Sequence, residues 1–210
     1  MSRETYRHGD LHRALVDAGL DLARGSGPDA VVLREATRSA HVAPSAAYRH
    51  FSSRDSLVHE VSMAAQAKLA SAIEAEQVRA LAALPEPADP AVRARALLRS
   101  VGAGYLKFAW AEPGWFRTAF LVHQNLANAG DVHAAGPQGR TPYQLLSESL
   151  DALSDSGVLP PERRPGAEVL AWSTVHGFAT LTIDGPLRDF DAKTREALAD
   201  RLLKMVEAGL

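Results

Sequence analysis

Leu33-Arg34-Glu35-Ala36-Thr37-Arg38-Ser39-Ala40-His41-Val42-Ala43-Pro44-Ser45-Ala46-Ala47-Tyr48-Arg49-His50-Phe51 is the stretch that decides the fold. Val31 to Ala40 reads as one short helical segment and Pro44 to Phe51 as another, with only His41-Val42-Ala43 between them. Two short helices on a tight turn form a helix-turn-helix candidate. Pro44 suits the first turn of the second helix, where a backbone N–H has no intrahelical acceptor to lose. Ala43 brings no side-chain oxygen to cap that helix, an absence on the order of 1 kcal/mol. If His41 takes a positive φ it carries strain that a glycine would avoid. Val42, Ala47 and Phe51 are expected in a small core by their apolarity. Arg38 and Arg49 stay open between solvated charges on a helix face and groups that read a partner.

Upstream, Leu11, Leu15, Ala18 and Leu22 share one helical stripe. Asp10 is the expected cap of that helix, and Gly25-Ser26-Gly27-Pro28 its stop. Downstream, Ser52-Ser53-Arg54-Asp55 has the spacing of a capping box, so a fourth helix is expected from near Ser52 to about Leu84. Pro85-Glu86-Pro87-Ala88-Asp89-Pro90 has to be loop. Further helices are expected over 91–111, 114–128, 142–156, 165–183 and 192–208, between Gly/Pro-rich breakers. No long β-branched run alternates with period two, so the chain reads as all-α. The expected division is a head over 1–55 and a larger helical body over 56–210.

The quoted stretch resembles the helix-turn-helix of TetR-family regulators, in which a Leu-Arg-x-Ile-Ala segment leads through Gly-Val-Ser into a recognition helix ending Tyr-x-His-Phe. Tyr48-Arg49-His50-Phe51 and Arg54 match that pattern, as does the upstream Tyr6-Arg7-His8-Gly9-Asp10-Leu11. The departures are His41 for the usual glycine, Ala36 for Ile, Thr37 for Ala and Ala43 for a capping Ser. The resemblance implies that Arg34, Pro44, Ser45, Ala46, Tyr48 and His50 face double-stranded DNA and that Arg54 holds a phosphate at the start of the fourth helix. Short side chains at Ser45 and Ala46 suit close approach to a major groove. Arg3 and Arg7 are candidates for the phosphate backbone or a minor groove.

In the body, Trp172-Ser173-Thr174-Val175-His176-Gly177-Phe178 is similar to the Trp-His-Gly signature of one C-terminal subtype of the family. Tyr105-Leu106-Lys107-Phe108 and Pro113-Gly114-Trp115-Phe116 are similar to its central segment. Tyr105, Phe108, Trp115, Phe116, Phe120, Trp172 and His176 are the candidates to line a cavity for a small-molecule effector. Plain core packing is the competing reading for each. His176 is the sharpest of them, and a structural hydrogen-bonded histidine is its alternative. Leu198, Leu202 and Met205 form an apolar stripe that an intrachain core would also explain. The resemblance implies that they join a second copy, so that two heads read a palindromic operator.

Composition narrows the classes. The chain has 210 residues, 46% hydrophobic and 23% charged, and no cysteine, which excludes disulfides, Cys-ligated metals and thiol catalysis. The eight histidines are scattered without metal-ligand spacing. His59-Glu60 lacks the second histidine of a zinc-protease helix, and Gly102-Ala103-Gly104 lacks the third glycine of a dinucleotide fold. No catalytic residue, metal or cofactor is expected. The N-terminus lacks the apolar stretch of a signal peptide and no run reaches membrane-spanning length, so a cytoplasmic protein is expected. Net charge is −2, with the excess of basic residues confined to the first 54 positions. The expected function is a DNA-binding repressor released by an effector. The rival is an all-helical small-molecule-binding protein whose head has lost specific DNA recognition.

Overall fold

Periodic apolar stripes interrupted by Gly and Pro give a chain of helices, and in a computed structural model that describes residues 8–121 and 129–210 these are α1 (His8–Ser26), α2 (Leu33–Ser39), α3 (Pro44–Ala47), α4 (Arg54–Ala82), α5 (Pro90–Ala111), α6 (Pro113–Ala119), α7 (Pro142–Asp155), α8 (Ala167–Ile183) and α9 (Ala192–Gly209). No strand occurs among the described residues, so the all-α expectation is borne out. None of the described helices is long and apolar enough to cross a membrane.

Several boundaries differ from the sequence expectation for identifiable reasons. Helix α1 starts at His8, which puts Asp10 in the first turn instead of at the cap. Residues Pro28–Ala30 form a 3-10 turn and Val32 is extended, so α2 starts only at Leu33. Beyond Ala47 the N–H groups of Arg49 and His50 reach back three residues, to Ala46 and Ala47, and end α3 early. The cap of α4 is Ser53, whose Oγ accepts from the Ser56 N–H while the Ser56 Oγ accepts from the Ser53 N–H, so the reciprocal pair is Ser53–Ser56 and not Ser52–Asp55. Helix α6 ends at Ala119; the part of the expected 114–128 helix over 122–128, like Arg3 and Arg7, lies outside the described residues.

The chain divides into two compact units, the first running to Gln66 and taking in the stretch from Glu112 that forms α6, the second holding the rest. The first unit thus takes in more of the chain than the head expected over 1–55. Its core buries Leu15, Val31, Ala36, Ala47, Phe51 and Leu57, with Trp115 and Phe120 packed against it. Helix α6 belongs there because its backbone rests on the end of α1. A Cβ at Gly114 would stand 2.3 Å from the Ala23 carbonyl oxygen and 2.2 Å from that of Arg24. The Trp115 indole donates to Leu20 O at 2.7 Å, and Arg24 grips the Glu112 carboxylate through Nε (2.7 Å) and Nη2 (2.5 Å). At the other end of α6, Ser62 and Gln66 of α4 both donate to Ala119 O.

In the second unit α5 is the central helix, packed by α7, α8 and α9. A capping box between Thr141 and Gln144 starts α7, and Asp191 caps α9 by accepting from the Thr194 N–H. Gly104 lets α5 meet α4, since a Cβ there would stand 2.8 Å from the Ile73 Cα.

Replacing Gly114 by Ala forces the α1–α6 contact apart. Thermal denaturation is expected to show a loss of about 1–3 kcal/mol, whereas Gly177→Ala, inside α8 with nothing within 4 Å of the added methyl, meets no clash within the chain and is expected to gain up to about 1 kcal/mol from helix propensity.

Candidate functional site

The head presents α2, a three-residue turn and α3. Helix α2 ends in a Schellman arrangement: the His41 N–H donates to Arg38 O and the Val42 N–H to Thr37 O. That motif requires a left-handed residue after the cap, and His41 supplies it with φ 55°. The strain expected of a non-glycine there is present.

Of the residues expected to face DNA, Arg34, Pro44, Ser45 and Tyr48 are exposed, Tyr48 at 63%, while Ala46 and His50 are half-buried. Ala47 and Phe51 are buried and Val42 is partly so, as their apolarity predicts. Arg38 is tied to Glu35 one turn back, so it is a solvated ion pair on the helix face. Arg49 is exposed. The His50 ring lies edge-on to His12 at 6.1 Å, and His12 stacks on Phe51 at 4.8 Å. His12 was not legible as part of this group, because one polar position on an amphipathic helix resembles any other. Arg54 donates through Nε to Val31 O (2.9 Å) and through Nη2 to Pro28 O (2.8 Å).

The aromatic residues expected to line a cavity fall into both units. Trp115, Phe116 and Phe120 belong to the first, where Arg24 lies over the Trp115 ring and Phe116 and Phe120 pack at 5.2 Å. Tyr105, Phe108, Trp172 and His176 belong to the second. There the Trp172 indole donates to the Tyr105 hydroxyl oxygen (3.3 Å), and that hydroxyl lies 2.7 Å from His176 Nδ1. Tyr105 and Phe108 are buried, and burial pushes the phenol pKa up and the His176 pKa down. The Tyr105 hydroxyl and His176 Nδ1 share this hydrogen bond, with the donor set by the imidazole tautomer.

A separate groove of about 670 Å³ runs along α4, α5 and α9, with Ala80, Ala96, Ala103 and Leu203 in its walls and none of the expected effector residues among its lining. Six charged groups in its lining are paired between helices, Arg95 with Glu207, Arg99 with Asp200 and Lys107 with Glu76. On α9, Leu198 and Leu202 are half-buried and Met205 is 60% exposed.

An exposed helix-turn-helix on a small helical head, joined to a larger helical body, defines the class of one-chain DNA-binding regulators. Residues 98–206 match the family of tetracyclin repressor-like C-terminal domains, and residues 15–61 match the bacterial regulatory proteins of the tetR family. The chain belongs to the tetR family of bacterial transcription regulators. Its fold is similar to that of a protein of unknown function from Rhodococcus sp. RHA1, at 24% identity over 96% of this chain and 98% of that one, with a TM-score of 0.68. It is also similar to a provisionally assigned TetR-family transcriptional regulator from Mesorhizobium loti MAFF303099, at 16% identity over 98% of each chain with a TM-score of 0.57. A third, provisionally assigned tetR family regulator from Shewanella sp. PV-4 shares 18% identity over 92% of this chain and 95% of that one, with a TM-score of 0.56. No curated protein matches the chain.

Two outcomes follow from this geometry. His41→Gly relieves the left-handed strain and is expected to raise the stability of the head by about 1 kcal/mol in urea unfolding. His176 binds its proton more weakly in the folded protein than in the unfolded chain. Its contribution to stability is therefore complete above the unfolded value of about 6.5 and is lost as pH falls below it. The melting temperature should fall less between pH 7.5 and 5.5 in His176→Gln than in the wild type.

Proposed function

We propose that this protein is a homodimeric repressor that reads a palindromic operator in double-stranded DNA through α2 and α3 and leaves it when a small molecule binds in the second unit. The observation that carries the reading is Tyr48, a large aromatic side chain standing out from a head whose own core is closed by Ala47 and Phe51. Short side chains at Pro44, Ser45 and Ala46 let the start of α3 approach base edges, and Arg34, Tyr48 and His50 bring polar tips to bases or phosphates.

A second copy supplies what α8 lacks. Helix α8 buries Ala171, Val175 and Ala179 on one side and exposes Val169, Leu170 and Leu181, with Ser173 and Thr180 among them, on the other. A Cβ at Gly177 would meet nothing within 4 Å, which leaves room for a side chain from outside. With Leu198, Leu202 and Met205 of α9 this face fits a bundle with its own copy. Two heads then stand about one DNA turn, or a multiple of it, apart.

The effector is received by Tyr105, Phe108, Trp172 and His176, an apolar wall with a few oriented polar groups. Helix α5, which carries Tyr105, continues through Glu112 into α6. A ligand that displaces α5 thereby pulls on the helix that Gly114 and Trp115 seat against α1, and shifts the population of heads toward a form that fits the operator badly. Trp115, Phe116 and Phe120 serve this reading as part of the transmitting segment.

Fluorescence anisotropy on DNA flanking the protein's own gene, with scrambled DNA at two salt concentrations for comparison, tests the reading. Sequence-selective, salt-dependent binding is expected. Tyr48→Ala should weaken it by about tenfold or more while sedimentation still reports a dimer, and Met205→Glu should shift the sedimentation to monomer. Equal, weak binding to both DNAs, from this fragment and from a random-sequence selection, overturns it.

A further inference from the structure

We propose that the groove along α4, α5 and α9 is a second small-molecule site, separate from the one around Tyr105 and His176, and that it takes an apolar organic cation. All of its lining belongs to the second unit.

Glycines bring the three helices together. A Cβ at Gly104 would stand 2.8 Å from the Ile73 Cα of α4, and one at Gly102 would stand 2.3 Å from the Leu203 Cδ2 of α9. Beside these contacts the walls carry Ala80, Ala96, Ala103 and Ala199, whose methyl groups are too short to refill the space between the helices. What remains is about 670 Å³, within the range of small-molecule sites. Leu84 and Val92 extend the apolar wall, and Val92 is 46% exposed, so an apolar guest covers surface that water now meets.

Charge decides which guest fits. Each basic group of the lining is held by an acid, Arg95 by Glu207, Arg99 by Asp200 and Lys107 by Glu76. The cations just outside the lining are engaged as well, Arg79 with Glu76 and Lys204 with Asp200. Glu196 is the remaining acid of the lining, and among the described residues it has no ion-pair partner. An anionic guest would therefore meet carboxylates without a free cation in the lining, whereas a cationic guest finds Glu196.

Glu196 stands at the Trp110 end of the groove, because the guanidinium of the preceding residue, Arg195, lies over the Trp110 ring at 4.6 Å. The indole is held in place: Nε1 donates to Thr182 Oγ1 at 3.0 Å and Phe178 packs edge-on. Arg195 is not part of the lining and Trp110 is, so the groove meets indole surface that Arg195 does not cover. A carboxylate beside an aromatic surface, at one end of an apolar groove, suits a cation that carries apolar substituents. In the proposed dimer the groove stays open. Leu198, Leu202 and Met205 each lie two positions after Glu196, Asp200 and Leu203, about 200° around the helix.

Isothermal titration calorimetry of the full chain with tetraphenylphosphonium and tetraphenylborate, ions of one shape and opposite charge, tests the site without DNA. Tetraphenylphosphonium is expected to bind. Glu196→Gln, at an exposed position, should weaken it about fivefold, the scale of one unit charge about 4 Å away in water, and should not weaken tetraphenylborate. Ala96→Phe, which fills the groove, should weaken tetraphenylphosphonium more than about tenfold in a chain still helical by circular dichroism; Glu196→Gln alone decides if that variant does not fold. Absence of tetraphenylphosphonium binding at millimolar concentration overturns the proposal, as does an affinity that Glu196→Gln leaves unchanged or lowers equally for both ions. If Tyr105→Phe weakens the cation and Glu196→Gln does not, the cation occupies the effector site instead, which overturns this proposal and leaves the effector reading standing.

Discussion

The head depends on a contact between two pieces of backbone, Gly114 against the last carbonyls of α1. A helix end leaves carbonyl groups without intrahelical donors, and a buried polar group without a partner is expensive. Here Ala23 O accepts from the Gly27 N–H, and Leu20 O accepts also from the Trp115 indole. At the far end of α6, Ala119 O accepts from Ser62 and Gln66. Each helix terminus is therefore completed by a neighbour. The Arg24–Glu112 pair looks stronger in its geometry, yet Arg24 is solvent-exposed and its charge is screened, so such a pair adds little. Close seating at Gly114 and the satisfied carbonyls are what a change of α6 would have to disturb.

Order and type of the helices were legible because they rest on local rules: apolar period, Pro and Gly stops, a serine before an acidic or hydroxylic turn. Errors fell where two local signals were adjacent. Ser52 and Ser53 both suit a cap, and the choice is made by Ser56, whose hydroxyl returns the bond. What sequence alone could not give were partners distant along the chain. Arg24 and Glu112 are 88 positions apart, and nothing local to either names the other. Trp115, Phe116 and Phe120 fall in the first unit and Tyr105 in the second, a division that aromatic composition does not announce. Tyr105, Trp172 and His176, by contrast, were singled out from two separate segments, and they meet through directed hydrogen bonds.

Helix α8 bears two demands at once. Ala171, Val175 and Ala179 meet the unit's interior, and Trp172 and His176 reach Tyr105, while Leu170, Gly177 and Leu181 look outward. An amphipathic helix would satisfy a monomer with polar groups on that outward side. Here Val169, Leu170 and Leu181 stand exposed among Ser173 and Thr180, and their apolar area is unfavourable in water, at roughly 25 cal/mol per Å², unless something covers it. The same helix would thus carry an effector-facing edge and a self-association face in the proposed function, which ties ligand contact to the geometry of the dimer.

The helix-turn-helix itself breaks several local rules. Neither α2 nor α3 has a side-chain cap, with Val32 and Ala43 at the capping positions, and the left-handed turn residue is a histidine. Each departure weakens the isolated motif. A motif so built cannot hold its own shape, so its shape has to be imposed from outside. The impositions are visible: burial of Ala47 and Phe51, the His12 ring stacked on Phe51, and the Arg54 bracket on the turn before α2. Local conflict offset by tertiary anchoring is how a natural sequence keeps one structure while relaxing propensity at a working surface. In this head the anchors come from α1 and α4, so the rigidity of the exposed helix-turn-helix surface is a property of the whole unit and not of the motif that marks it.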